Sequence, residues 1–156
     1  GKYSLEVLQH LSQEARVIAV DLWEEGLRSL QESMKARDIS RISPILADIG
    51  RGIPLKRDTV DVCLVANVLH ELILSKKDKE ALREITRVLE PKGELAVIEF
   101  KKVPGPGPPL HICIEANQLS DMVKSYGSRN VKVVETGPYN YLALYRLEVN
   151  DAYGDH

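Results

Sequence analysis

The sequence predicts an α/β fold: a mostly parallel sheet, helices on both faces, and an antiparallel last strand. Three observations predict it. Short apolar runs, Val17–Val20 and Val60–Ala66 above all, alternate with segments whose apolar residues recur at helical spacing. Such runs between helices suit strands buried on both faces, as in a parallel sheet. The last two strand patterns, Val131–Thr136 and Tyr141–Glu148, are separated by only a few residues. That spacing permits only an antiparallel pair, since a parallel pair needs a crossover of about a dozen residues or more.

Taken in order, Leu5, Leu8 and Leu11, with Val7, mark a helix over residues 3–11. The strand Val17–Val20 comes next and ends on Asp21. Leu27, Leu30 and Met34 share one face of a helix over Glu24–Lys35. Ser43–Asp48 reads as a short strand ending on a second acid, and Gly50, Gly52 and Pro54 break the segment after it. Val60–Ala66 is the strongest strand. Ser75 or Asp78 is placed to cap a helix ending near Leu89, with Leu82, Ile85 and Leu89 on its core face. Pro91–Gly93 reads as a turn and Glu94–Phe100 as a strand. Val103–Pro109, holding four of the chain's eight prolines, reads as a stiff loop. Leu119, Met122, Val123 and Tyr126 mark a last helix stopped by Gly127. One domain is expected over residues 1–148, with a disordered tail over 149–156.

Composition narrows the function. Apolar residues make up 44% and charged residues 28% of the chain, an ordinary soluble balance, and the net charge is −2. No basic footprint for nucleic acid appears, and no apolar run is long enough to span a bilayer. Two cysteines, Cys63 and Cys113, make no disulfide framework, so a reducing cytoplasm is the expected compartment.

Asp21 is the residue on which the functional reading turns. Ligands of open α/β sheets bind beyond the carboxyl ends of the strands, where an acid can accept both hydroxyl hydrogens of a ribose. Preceding the helix, Asp21 also suits a capping role.

Four segments then carry a resemblance. Val17-Ile-Ala-Val-Asp21-Leu22, Ala47-Asp48-Ile49, Asp61-Val-Cys-Leu-Val-Ala-Asn-Val-Leu-His70 and Leu89-Glu-Pro-Lys-Gly93-Glu-Leu-Ala-Val-Ile-Glu99-Phe100 succeed one another in the order and spacing of a known pattern. The chain resembles class I S-adenosylmethionine-dependent methyltransferases, of the small type similar to the ubiquinone/menaquinone-biosynthesis enzymes. The resemblance implies a Rossmann-like fold and S-adenosylmethionine as cofactor. It implies that Asp21 holds the ribose and Asp48 the adenine amino group, that Leu22 and Ile49 flank the adenine, and that Asn67 lines the methionine end. Gly1 stands where the family's glycine-rich loop ends, so that loop and the first strand are expected to precede it. Lys92 departs from the family's Pro-Gly-Gly turn, and Ser128 stands where an aromatic residue is frequent.

Methyl transfer from a sulfonium needs alignment and exclusion of water more than a catalytic dyad. Candidates for acceptor binding or proton removal are His70 and Glu71 in the turn after Ala66, Glu99 ending its strand, His111 after the proline loop, and Tyr139 and Tyr141 at the final turn. Against each stands a plainer role: packing for His70, a backbone cap for Glu99, core or edge positions for the tyrosines. His111-x-Cys113-x-Glu115 would share one face of an extended chain, but no second cluster completes a metal site, and none is expected. The expected partner is a small-molecule acceptor, less readily a protein. An NAD(P)-dependent oxidoreductase is the alternative enzyme, disfavoured by the lack of any Tyr-x-x-x-Lys. A non-catalytic binding subunit is the alternative outside enzymes. A nucleic-acid acceptor is disfavoured because Ala66-Asn-Val-Leu replaces an Asn-Pro-Pro-Tyr base-holding pattern. The oligomeric state is open. The proline loop through Glu115 leaves the ligand end of its strand and is long for such a connection, which suits a lid or acceptor-side wall.

Overall fold

The structure is a computed structural model that describes residues 2–148. Gly1 and the predicted tail lie outside the described residues. The described chain falls into two compact units that divide between Pro54 and Leu55.

In the first unit, α1 (Lys2–His10) and α2 (Glu24–Ala36) accompany β1 (Val17–Asp21) and β2 (Ile42–Leu46). The two strands pair in parallel, Val17 opposite Ile42 and Asp21 opposite Leu46. Their core joins Leu8, Leu30 and Ile42, flanked by Leu5, Val17, Met34 and Ile39. α2 stops without a glycine. Asp38 takes the left-handed conformation (φ 55°), the Ile39 N–H returns to the Met34 carbonyl at 2.8 Å, and the Asp38 N–H to that of Lys35 at 3.3 Å. This is the double closure that satisfies a helix's last carbonyls. β2 ends two residues before Asp48, earlier than the apolar pattern suggests.

The second unit holds β3 (Val60–Ala66), α3 (Leu69–Leu74), α4 (Asp78–Val88), β4 (Leu89–Phe100), a short 3₁₀ turn at Leu110–Ile112, α5 (Ala116–Lys124), β5 (Ser128–Glu135) and β6 (Asn140–Leu147). The sheet order is β3-β4-β6-β5. β3 and β4 are parallel, and β6 runs antiparallel to both β4 and β5. Within this sheet only the last strand therefore runs against the others, and the predicted α/β fold with flanking helices and an antiparallel final strand is the one observed.

Alternation along β4 and β6 builds the core. Leu95, Val97 and Glu99 point inward opposite Tyr145, Ala143 and Tyr141. Leu119 and Val123 of α5 and Ala81, Leu82, Ile85 and Val88 of α4 are buried apolar positions of the same unit. The Tyr145 hydroxyl shares a 3.0 Å hydrogen bond with Ser120.

Three local expectations are corrected. His70 and Glu71 lie in a helix, α3, and not in a turn. Neither Ser75 nor Asp78 caps α4, whose N-cap is Lys77 with no side-chain cap; Ser75 instead ends α3. The turn at Pro91–Gly93 is an excursion inside β4. From Leu89 to Glu94 the strand advances five residues while β3 advances two, Val60 to Val62, and Lys92 adopts φ 66°.

Candidate functional site

The first unit carries Asp21, Leu22, Asp48 and Ile49. Asp21 is the last residue of β1 and exposed; its Oδ1 accepts the Trp23 N–H at 3.0 Å. Trp23 is itself the N-cap of α2, so Asp21 shapes the turn before the helix. Among the described residues Oδ2 of Asp21 has no partner, which leaves it able to accept a ligand hydroxyl. Leu22 is 66% exposed and Trp23 64%. Two large apolar side chains beside a half-engaged carboxylate fit a ligand with a flat apolar ring and hydroxyl groups. Trp23 was not singled out by sequence. Its ring lies on Gly26, where a Cβ would come within 2.5 Å of Cε3, so a larger residue there would push the exposed indole aside.

Asp48 is more committed. Its side chain is 16% exposed, its Oδ1 accepts the Gly50 N–H at 3.0 Å, and Oδ2 lies 3.8 Å from Arg51 Nε. Ile49 is half-buried next to it.

In the second unit the structure brings together Asn67, His70, Glu99, Tyr139 and Tyr141. Asn67 comes just after β3 in the left-handed conformation (φ 56°), its N–H bonded to the Ile98 carbonyl at 2.8 Å. Asn140, overlooked in the sequence, donates from Nδ2 to Asn67 Oδ1 and to the Glu99 carbonyl, both at 3.3 Å. Glu99 has no exposed surface. Its carboxylate accepts the His70 N–H at 3.1 Å and the Phe100 N–H at 3.3 Å, and His70 Nδ1 lies 3.2 and 2.9 Å from its two oxygens. The capping role weighed for Glu99 is therefore present at the start of α3, together with an ion-pair geometry to the ring. The Phe100 ring meets the His70 ring edge-on at 5.9 Å.

Tyr141 sits opposite Glu99 and is buried, its hydroxyl donating to the Ile114 carbonyl at 2.6 Å. Burial first, then the Glu99 charge, pushes its phenol well above the usual tyrosine range. That hydroxyl is engaged in the core and not presented to an acceptor. Tyr139 is partly exposed, and Gly105 of the proline loop lies on its ring; Gly107 lies likewise on Phe100. At either glycine a Cβ would fall within 2.6 Å of the aromatic carbons.

His111 is exposed, in the 3₁₀ turn. Residues 111–115 are not the extended run that a shared metal face requires. Cys113 is buried, and Glu115 forms a reciprocal capping box with Gln118, whose Oε1 accepts the Glu115 N–H at 3.0 Å. Among the described residues no three His, Cys, Asp or Glu side chains gather as a metal site, and no helix is long and apolar enough to cross a membrane.

Parallel strands with an acid at a carboxyl end, as β1 and β2 show, are found in α/β proteins that take nucleotide-type ligands beyond their strand ends. A family model described as a methyltransferase domain matches residues 1–97. The chain belongs to this family, the class I S-adenosylmethionine-dependent methyltransferases, whose cofactor is S-adenosylmethionine. It is 30% identical over 112 residues to the demethylmenaquinone methyltransferase of Chlamydia muridarum, covering 72% of this chain and 45% of that one. The chain thus spans less than half the length of that curated relative. A SAM-dependent methyltransferase from Aquifex aeolicus superposes with a TM-score of 0.84 at 25% identity, over 93% of this chain and 76% of that one. The Burkholderia thailandensis 1,6-didemethyltoxoflavin-N1-methyltransferase, solved with 1,6-didemethyltoxoflavin and S-adenosylhomocysteine, shares the fold. Its TM-score is 0.72 at 18% identity, over 96% of this chain and 67% of that one.

Proposed function

We propose that the protein transfers a methyl group from S-adenosylmethionine to a small-molecule acceptor by in-line displacement. The observation that carries this is Asp21: an exposed carboxylate at the end of β1, half-engaged by its own turn, within the segment the family model matches. In the first unit Asp21 accepts the ribose hydroxyls, Asp48 the adenine amino group, and Leu22 and Ile49 flank the ring. In the second, Asn67 serves the methionine end. The cofactor supplies a methyl carbon already activated by its sulfonium, so the chain's work is to bind, align and exclude water. On the acceptor side we assign Tyr139, His111 and the proline loop. A small-molecule acceptor is supported by the names of the Chlamydia and Burkholderia enzymes.

Isothermal titration of the full-length protein with S-adenosylmethionine and, separately, NAD tests this reading. Saturable binding of the first and none of the second is expected. The reverse result would assign the oxidoreductase alternative, and binding without turnover on any acceptor the non-catalytic one.

A further inference from the structure

A hollow of about 360 Å³ opens on the second unit, lined by Arg57, Arg83, Glu84, Thr86, Arg87 and Tyr126. Its position follows from how the chain enters β3. The Asp58 N–H donates to the Arg87 carbonyl at 3.0 Å and the Thr59 N–H to that of Val88 at 2.9 Å. Thr59 Oγ1 donates to the Lys56 carbonyl at 2.7 Å. The segment carrying Arg57 is thereby pinned to the end of α4, at the amino ends of β3 and β4. Asn67 and Glu99 lie at the opposite ends of those strands. Arg87 is committed to structure. Its Nε and Nη2 donate to the two Glu84 oxygens at 2.9 and 2.8 Å, and Nη1 to the Leu55 carbonyl at 2.8 Å. Arg57 and Arg83 are exposed, and neither has a hydrogen bond or ion pair among the described residues. The end of α4 does not call for them, because its last carbonyls already accept the Asp58 and Thr59 N–H groups.

We propose that this hollow binds the phosphate group of a small phosphate ester. Three arginines against one glutamate leave positive charge in excess, and Glu84, the one carboxylate of the lining, is already matched by Arg87. Helical spacing sets Arg83 one turn from Arg87 on the same side of α4. Tyr126, half-buried after α5, adds a phenol hydroxyl with no partner among the described residues. The Thr86 hydroxyl donates to the Leu82 carbonyl at 2.8 Å, so it offers a ligand no proton. The uncommitted donors are therefore two guanidiniums and a phenol. One guanidinium satisfies a carboxylate by itself, through two parallel N–H bonds. Two guanidiniums and a third donor suit a group with three oxygens and more than one charge, which a phosphate monoester is near neutral pH. The concave shape admits the ester's organic part, since the volume falls at the lower end of the range for small-molecule sites. None of the six lining residues takes part in the methyl transfer proposed above.

The test titrates the full-length protein, ¹⁵N-labelled at arginine, with phenyl phosphate at constant ionic strength and a pH of about 6.5, above the ester's second ionisation. Benzoate and vesicles of phosphatidylcholine with phosphatidic acid are the comparisons. Saturable binding of phenyl phosphate with a Kd below about 5 mM is expected, with benzoate weaker by about fivefold or more. The side-chain N–H signals of Arg57 and Arg83 should shift along the titration. Arg57→Gln and Arg83→Gln remove side chains without partners, so both should keep the wild-type melting temperature. Each should weaken phenyl phosphate by about threefold or more. A weaker wild-type Kd, a smaller loss in either variant, or benzoate bound within fivefold of phenyl phosphate overturns the proposal. Shifts confined to other arginines overturn it without recourse to the variants. Vesicle binding with no binding of phenyl phosphate also overturns it, and makes the occupant a lipid surface.

Discussion

The turn contact of Asp21 and the ribose role proposed for it are separated by a pair of substitutions. Its Oδ1 holds the Trp23 N–H at 3.0 Å in an exposed turn, while Oδ2 has no partner among the described residues. Asp21→Ala removes both. Losing one exposed local hydrogen bond costs about 0.5–1 kcal/mol of stability. Asp21→Asn keeps an oxygen for the Trp23 N–H, so stability should stay within about 0.5 kcal/mol of wild type. Charge-assisted hydrogen bonds to the ribose contribute about 1.5–3 kcal/mol. Their loss should weaken S-adenosylmethionine binding about 10–150-fold in Asp21→Ala. Asp21→Asn should lose about as much, because an amide accepts fewer and weaker bonds than a carboxylate. Urea denaturation gives the first quantity and calorimetric titration the second. Equal affinity for wild type and Asp21→Asn, with weak binding confined to Asp21→Ala, would show that only the turn matters and refute the ribose assignment.

Three further outcomes are expected. The phenol of Tyr141 is raised in the folded state, so its stabilisation is complete below the unfolded value of about 10 and is lost as pH climbs toward the folded one. Tyr141→Phe should cost about 1–2 kcal/mol at pH 7, by orphaning the Ile114 carbonyl, and the gap in urea midpoint should narrow above pH 10; a gap that widens counts against this. Gly107→Ala sets a Cβ 2.6 Å from Phe100 Cδ1 at φ 112°, whereas Gly137→Ala meets nothing within 4 Å at φ 144°. Both should lose about 1–3 kcal/mol to backbone strain, and Gly107→Ala should melt measurably lower; equal melting temperatures would deny the ring contact. Shortening Pro104–Pro108 to two residues should leave S-adenosylmethionine affinity within a few-fold while methyl transfer, monitored by S-adenosylhomocysteine release, falls strongly; equal losses would assign the loop to the cofactor.

The strands were legible because β-branched runs are short and flanked by breaks: Val60–Ala66 occupies the predicted residues, and β1 exceeds its prediction only by Asp21. α3 was not legible. Its six residues, Leu69–Leu74, are too few for a helical period to stand out from the apolar strand before them, and the His70 N–H in its first turn is satisfied by Glu99, 29 residues away. No local window contains that cap. The inward face of Glu99, by contrast, was written in the alternation Leu95, Val97, Glu99 along a strand with an otherwise apolar buried face. What the alternation lacked was the identity of the partner. His70 sits in an element whose first turn is capped by that same carboxylate. The fate of Tyr141 also depended on a contact distant in sequence, the Ile114 carbonyl.

The excursion in β4 changes how length can vary here. Counting from α4 does not set the register of Glu94–Phe100; the ladders to β3 and β6 do, the first resuming and the second beginning at Glu94. The bulged segment lies at the end of the strand away from Glu99. A residue added or lost between Glu90 and Gly93 should therefore leave Glu99 opposite Tyr141 and within reach of His70, because the ladders from Glu94 onward hold that pairing. The strand's entrance can drift in length and sequence, Lys92 among its residues, while the carboxylate at its exit stays fixed.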